Sequence, residues 1–253
     1  MNNTIVVFTK EIHLKSLIQN LDLCGLINQI AYIVHPDNES ALMGNNDHNK
    51  QISFDIQVIK YSDFKNKVTK LNLNFNLGIS FMFPHIFSRQ ITELFDKGII
   101  NFHPSLLPLN RGANPVAWAI YNGSSHGVTA HLVDAKIDNG PILAQTKIDV
   151  RFYHTAEKLY FESISELEKL VVDVIPAWLN NKITPTPPFG VSSFHLIKDL
   201  ESLKYKDISE IIDAFELLNL LRAASFSEKD GLRLKIDNEV FDLYLRIEKL
   251  NEN

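Results

Sequence analysis

Cysteine is what this sequence has least of. Cys24 is the single one among 253 residues, which rules out an internal disulfide and any metal site built from several thiolates. It stands between Leu23 and Gly25 and reads as a small apolar core residue. Nine histidines are present, yet none has the H-E-x-x-H or paired spacing of a metal site, so no metal is expected. No G-x-G-x-x-G links the first strand to the first helix, and no phosphate-loop Gly-Lys-Ser/Thr occurs. That argues against a nicotinamide-dinucleotide or nucleoside triphosphate enzyme. G-x-S-x-G is missing too, so Ser105 is no nucleophile elbow and reads as a loop hydrogen-bonding residue. No apolar run approaches the length of about 18 residues that a membrane span needs, and the N-terminus has no signal-peptide pattern. Positive charge is in deficit: 25 Lys and Arg stand against 30 Asp and Glu, a net charge of −5. This disfavours a broad nucleic-acid surface. Repeats and low-complexity segments are absent. The expectation is a cytoplasmic protein with neither a membrane nor a nucleic acid as partner.

What is present is ordinary for a globular chain: 45% hydrophobic and 22% charged residues. The length suits one α/β domain of about 200 residues with a small appendage. Strand patterns at Thr4–Phe8, Ile30–Val34, Ile56–Ile59, Leu77–Phe81 and from Ile99 onward alternate with helical ones. The helices are expected at His13–Leu21, over about ten residues from Ser62, from an N-cap at Ser88 to Phe95, and at Pro115–Tyr121 behind an Asn114 N-cap. His35 to Lys50 reads as a polar loop or a frayed helix start. Strand–helix alternation predicts a Rossmann-like, mostly parallel sheet with helices on both faces. Val128–Val133 and Ile142–Ile148 add two strands, expected to be antiparallel, and a long helix is expected over Thr155–Leu179. Thr184-Pro185-Thr186-Pro187-Pro188 is the one clear linker. It divides a catalytic domain, 1–183, from a C-terminal appendage, 184–253. The appendage is expected to hold a helix over Ile208–Leu221 and a hairpin of Leu232–Ile236 with Val240–Leu245, turning at Asp237-Asn238.

The stretch richest in chemistry follows Ile99-Ile100: Asn101-Phe102-His103-Pro104-Ser105-Leu106-Leu107-Pro108, then Arg111-Gly112 and Pro115 to Ile120. Asn101 and His103 lie two apart, so both side chains share one face of an extended strand. Pro104 favours an extended His103 and blocks a helix. Ligands of open α/β sheets sit at the carboxyl ends of strands, which is where this amide and imidazole fall. Taken singly, His103 reads as a hydrogen-bonded structural residue, Asn101 as a turn cap and Trp118 as core. A third element lies downstream, His131-Leu132-Val133-Asp134-Ala135-Lys136-Ile137-Asp138-Asn139-Gly140, a strand followed by an acidic turn.

Together these elements resemble the formyltransferases that use N10-formyltetrahydrofolate. That group includes the methionyl-tRNA, glycinamide ribonucleotide and sugar N-formyltransferases. Their shared pattern is Asn-x-His followed by Pro-Ser-Leu-Leu-Pro, then an Asp-x-Gly turn, here Asn101, His103, Pro104 to Pro108 and Asp138-Asn139-Gly140. The likeness is specific from about Gly98 to Gln145. It implies catalytic roles for three residues: Asn101 in oxyanion stabilisation, His103 in oxyanion stabilisation and proton transfer, and Asp138 in electrostatic support and proton relay. Whether His103 or Asp138 is the formal base stays open. The co-substrate implied is N10-formyltetrahydrofolate, without a metal. Phe81, Met82 and Ile86 are candidates for lining the folate pocket, with packing as the alternative. Asp134 and Gly140 join them on the acidic turn, where Asp134 either binds ligand or caps the loop. For the acceptor, Arg111 is a phosphate candidate or a loop-bracing ion pair. Lys10 either reaches an anion or is a solvated lysine, and Ser105 hydrogen-bonds within the loop.

The Arg-Gly-x-x-Pro-x-x-Trp-Ala-Ile pattern is similar to the tRNA and sugar branches. The tRNA branch carries a further C-terminal β-barrel, and residues 189–253 are not conspicuously basic. Asn219-Leu220-Leu221-Arg222-Ala223 is similar to a segment found in both branches. The expectation is a sugar N-formyltransferase acting on a nucleotide-linked, dTDP-type amino-deoxysugar. The alternatives are a methionyl-tRNA-type or other amine formyltransferase, and an inactive folate-binding relative. A homodimer formed through the appendage is expected, because a helix and hairpin bury little area alone. Of seven appendage aromatics, Phe189, Phe194, Tyr205, Phe215, Phe226, Phe241 and Tyr244, most are expected to fill its core.

Overall fold

A computed structural model of the chain describes residues 4–38, 56–71, 73–211, 213–227 and 230–248. Most of the expected polar loop after His35 lies outside these residues. The described chain forms two compact units interleaved in sequence: 1–103, 130–144 and 167–187 in the first, and 104–129, 145–166 and 188–253 in the second.

The first unit opens with strand β1 (Ile5–Thr9), helix α1 (Glu11–Leu23), β2 (Ile30–His35), β3 (Gln57–Lys60) and α2 (Tyr61–Leu71). It continues through β4 (Leu77–Phe81), α3 (Arg89–Thr92) and β5 (Ile99–His103). β1 pairs in parallel with both β2 and β4, β2 with β3, and β4 with β5. Every residue of β1 and of β4 is buried, as expected of central strands in a sheet covered on both faces. Phe8 on β1 centres an aromatic cluster with Tyr61, Phe64, Phe83, Phe87 and Phe95, its ring centroid 4.9–6.3 Å from each of theirs. α3 is shorter than the helix expected through Phe95 and has no side-chain cap from Ser88.

After β5 come the short β6 (Arg111–Gly112), α4 (Pro115–Tyr121), β7 (His126–Leu132), β8 (Ile142–Ile148) and α5 (Ala156–Leu179). The main sheet has the order β3-β2-β1-β4-β5-β7-β8, a mostly parallel α/β arrangement of Rossmann-like type. The strand order reverses between β1 and β4, where such sheets bind ligands. Val133 N–H donates to the Ile99 carbonyl at 2.8 Å, tying the end of β7 to the start of β5, so these neighbours run antiparallel. Leu132 N–H donates to the Pro141 carbonyl at 2.9 Å where β8 returns. Asn114 stands at the N-cap of α4 as expected, but in a left-handed conformation and with no side-chain cap bond.

The second unit closes with β9 (Phe194–His195), α6 (Ile197–Leu203), β10 (Tyr205–Asp207), α7 (Ala214–Ala224), β11 (Leu232–Ile236) and β12 (Glu239–Leu243). The expected hairpin is present: β11 and β12 pair antiparallel, with Asp237 left-handed in the turn. β10 adds to it in parallel, making a three-stranded sheet. The helix expected over Ile208–Leu221 is broken. A 3-10 turn at Ile208–Glu210 is capped by Asp207, and α7 starts only after Asp213, whose carboxylate accepts the Glu216 N–H at 2.8 Å. α4 packs against α7. The expected aromatic core is overturned as well: all seven of those aromatics are at least 37% exposed. Aliphatic residues, Leu200, Leu203, Leu220, Leu232 and Leu234, fill the space instead.

Arg222 on α7 is buried, which the sequence did not suggest. Its guanidinium donates to the carbonyls of His154 and Arg151 at 3.0 and 2.8 Å and to Asn219 Oδ1 at 2.9 Å. The Asn219–Ala223 segment thus fastens α7 to the loop before α5.

Candidate active site

The register of the sheet builds the site. Ser80 on β4 and Asn101 on β5 are direct partners, so their side chains leave on the same face, and Ser80 Oγ donates to Asn101 Oδ1 at 2.8 Å. The antiparallel end of β7 sets His131 beside Asn101, with the Asn101 amide nitrogen 3.1 Å from His131 Nε2. Asp138 reaches the same place from the turn after β7. The Asn101 amide donates to its Oδ1 at 3.2 Å, and its Oδ2 lies 3.7 Å from His103 Nδ1. The side chains of His103, His131 and Asp138 are each at least 88% removed from solvent.

Local geometry explains how Asp138 arrives there. Its backbone is left-handed, at φ 47°, a conformation that costs a non-glycine residue energy and persists only where the surroundings hold it. Two residues on, a Cβ at Gly140 would lie 1.8 Å from the Leu132 carbonyl oxygen. Only glycine lets the turn close this tightly onto β7.

A backbone carbonyl only accepts, so the 2.9 Å contact of His131 Nδ1 with the Leu132 oxygen places the ring proton on Nδ1. Nε2 then accepts one Asn101 N–H while Asp138 accepts the other. At 3.7 Å the His103–Asp138 contact is longer than a formed hydrogen bond.

The structure therefore brings Asn101, His103 and Asp138 together, and adds Ser80 and His131. The signal for Ser80 was a lone hydroxyl in an otherwise apolar strand, Leu77-Gly78-Ile79-Ser80-Phe81. His131 heads the acidic turn, but nothing local announced its register opposite Asn101.

The other candidates of the first unit are scattered. Phe81 is fully buried, its ring edge-on to His13 at 5.6 Å. Met82 is left-handed, with φ 53°. The Ile86 side chain is exposed, and its carbonyl accepts from the Tyr61 hydroxyl at 3.4 Å. Lys10 stands at the N-cap of α1 with an extended backbone. It follows Thr9, whose register partner is Phe81 at the β1/β4 reversal. Asp134 caps its own loop, accepting the Lys136 N–H at 2.9 Å. Burial, reinforced by the charge of Lys10, pushes the His13 imidazole down to about 4.

Ser105 and Arg111 belong to the second unit. The Ser105 carbonyl accepts from Thr129 at 2.7 Å, and its hydroxyl is buried with no hydrogen-bond partner among the described residues. Arg111 Nη1 donates to Ser192 at 3.3 Å, and the guanidinium lies 5.8 Å from the Phe194 ring centroid. Both contacts form where β6 pairs with β9. Nearby, Trp118 is buried as expected and stacks on His195 at 4.0 Å and 8°. Among the described residues no cluster of three His, Cys, Asp or Glu is arranged to hold a metal. No helix there is long and apolar enough to cross a membrane.

The class that fold and site define is a Rossmann-like α/β protein in which an amide, two imidazoles and a carboxylate meet on one strand of the sheet. The family model described as formyl transferase matches residues 31–175, and the chain belongs to that family. It is 33% identical over 168 residues to a methionyl-tRNA formyltransferase of Thermodesulfovibrio yellowstonii, covering 65% of this chain and 52% of that protein. It is 29% identical over 168 residues to a dTDP-4-amino-4,6-dideoxyglucose formyltransferase of Mycobacterium bovis, covering 66% of this chain and 70% of that one. Against the first relative, then, the match spans about half of the relative's length. Among solved structures, the N-formyltransferase of Helicobacter canadensis in complex with folinic acid and dTDP-3-aminofucose superposes with a TM-score of 0.73 at 24% identity. That match covers 94% of this chain and 85% of that one.

Proposed function

We propose that the protein transfers a formyl group from N10-formyltetrahydrofolate to the amino group of a nucleotide-linked, dTDP-type amino-deoxysugar. The observation that carries the proposal is the convergence of Asn101, His103 and Asp138 on one face at the end of β5, inside the matched family region. The donor set fits such a co-substrate: a neutral amide and an imidazole suit a carbonyl oxygen gaining charge, and a carboxylate suits a proton in transit. Bound folate supplies an activated formyl carbon. Asn101 and His103 then hold the negative charge that develops on the formyl oxygen, with one Asn101 N–H turning from its present acceptor. Asp138 orients His103, and the pair would take the proton that the attacking amine loses and pass it to N10 as the formyl C–N10 bond breaks and tetrahydrofolate leaves. The backbone around Phe81, Met82 and Ile86, with Asp134 and Gly140, receives the folate at the β1/β4 reversal.

Two features favour a nucleotide sugar over tRNA. The net charge is −5, whereas a tRNA track needs a positive surface for phosphates. Residues 184–253, an appendage to the catalytic residues 1–183, expose aromatic rings for a base to stack on, Phe194 beside Arg111 among them. Arg111 is the diphosphate ligand in this proposal, with Ser105 and Lys10 as supporting contacts. The protein acts in the cytoplasm as a homodimer.

The test is mass spectrometry of a panel of nucleotide aminosugars incubated with N10-formyltetrahydrofolate. A product heavier by one carbonyl unit on a dTDP-aminosugar is expected. Formylation of methionyl-tRNA with no aminosugar modified would overturn the acceptor and leave the chemistry. Folate binding without transfer to any amine would mark an inactive relative.

A further inference from the structure

We infer that Ser80 is a positioning residue for formyl transfer and acts through Asn101. The inference rests on the proposed reaction, in which Asn101 stabilises the formyl oxygen. Both N–H bonds of the Asn101 amide are engaged at the reacting end, one by Asp138 Oδ1 at 3.2 Å and one by His131 Nε2 at 3.1 Å. A developing oxyanion competes for those same hydrogens, so both contacts weaken when charge appears. The Ser80 hydroxyl holds the opposite end of the amide, Oδ1, at 2.8 Å. Of these three contacts of the Asn101 side chain, it is the one for which the reaction does not compete.

Two physical consequences follow. An amide released at its nitrogen end is free to rotate, and a flipped amide would aim its oxygen at the oxyanion and at the Asp138 carboxylate. A hydrogen bond into Oδ1 opposes that rotation. Donation into Oδ1 also polarises the amide and strengthens its N–H bonds as donors. Ser80 is suited to the task because it is 1% exposed. It sits on a fully buried strand whose register with β5 fixes the Oγ position.

The experiment compares wild type, Ser80→Ala, Ser80→Thr, Asn101→Ala and the Ser80→Ala/Asn101→Ala double variant. Steady-state formyl transfer, thermal unfolding and hydrogen exchange at the Asn101 side-chain amide are measured on each variant that retains the groups concerned. Ser80→Ala is expected to lower kcat about tenfold, the scale of one hydrogen bond, with KM for both substrates unchanged. Ser80→Thr keeps the hydroxyl and is expected to recover most of the rate. In the Asn101→Ala background, Ser80→Ala is expected to cost nothing further, since residues acting as a unit are not additive. The Asn101 amide is expected to exchange faster in Ser80→Ala. Additive losses, or an unchanged kcat with only a lower Tm, would overturn the inference. If wild type formylates no amine, the proposed reaction fails. The exchange measurement then still decides the Ser80–Asn101 coupling, because an unaltered amide in Ser80→Ala rejects it.

Discussion

A residue's chemistry here is decided by what packs over it. Asn101 and His103 were legible because a two-residue spacing on a strand puts both on one face whatever the rest of the fold does. Ser80 showed only as a lone hydroxyl in an apolar strand and His131 not at all, since their place beside Asn101 depends on the registers of β4 and β7 with β5. His13 makes the same point in titration. A single helical histidine carries no message in sequence, yet burial against Phe81 and the neighbouring Lys10 lower it to about 4, from an ordinary 6.5. The folded state therefore holds His13 neutral while the unfolded chain takes up a proton. Its stabilising contribution is full above about pH 6.5, is lost progressively as the pH falls towards 4, and is constant below that. His154 and His195 shift in the same direction, mainly through burial. For His154, burial together with Arg222 and Arg151 outweighs Glu162 at 3.0 Å. Urea unfolding at about pH 7 and about pH 5 is expected to show a loss of order 1–3 kcal/mol in wild type and a smaller loss in His13→Phe. An identical loss in both would mean that His13 does not titrate as described.

At the scale of elements, strands were the most readable feature. β4 and β8 have the expected ends, and β1, β2, β3 and β7 differ by one or two residues. Helix ends depended on polar residues that apolar periodicity overlooks. Asp207 and Asp213 each cap a separate element, and so divide what reads as one amphipathic stretch. The aromatic expectation failed because leucines fill the space beside β11, leaving the rings outside. One such ring lies on β12, an edge strand that exposes Val240 at 52% and Phe241 at 42%. Edge strands of this kind invite pairing with another chain, and we propose a second copy as the partner here. Sedimentation at micromolar concentration is expected to show a dimer for wild type and a monomer for Val240→Lys/Phe241→Glu. A monomeric wild type would reject the assignment.

At the scale of the whole molecule, the chain visits each compact unit more than once, because β7, β8 and α5 contribute residues to both. Composition marks linkers and says nothing about such returns, so interleaving is invisible before the contacts are known. The family, by contrast, was readable from about fifty residues, since Asn101, His103 and Asp138 converge through a strand end and one tight turn. The central claim is that these three side chains carry formyl transfer. It is tested most directly by the rate of transfer from N10-formyltetrahydrofolate to a dTDP-aminosugar in wild type, Asn101→Ala, His103→Ala and Asp138→Asn, with folate binding and Tm measured alongside. Each variant is expected to lose ~10²-fold or more in kcat, the usual cost of a missing oxyanion donor or its orienting charge. Tm should stay close to wild type, and Asp138→Asn should bind folate nearly as well as wild type does. Near-wild-type turnover in Asn101→Ala and His103→Ala would contradict the account.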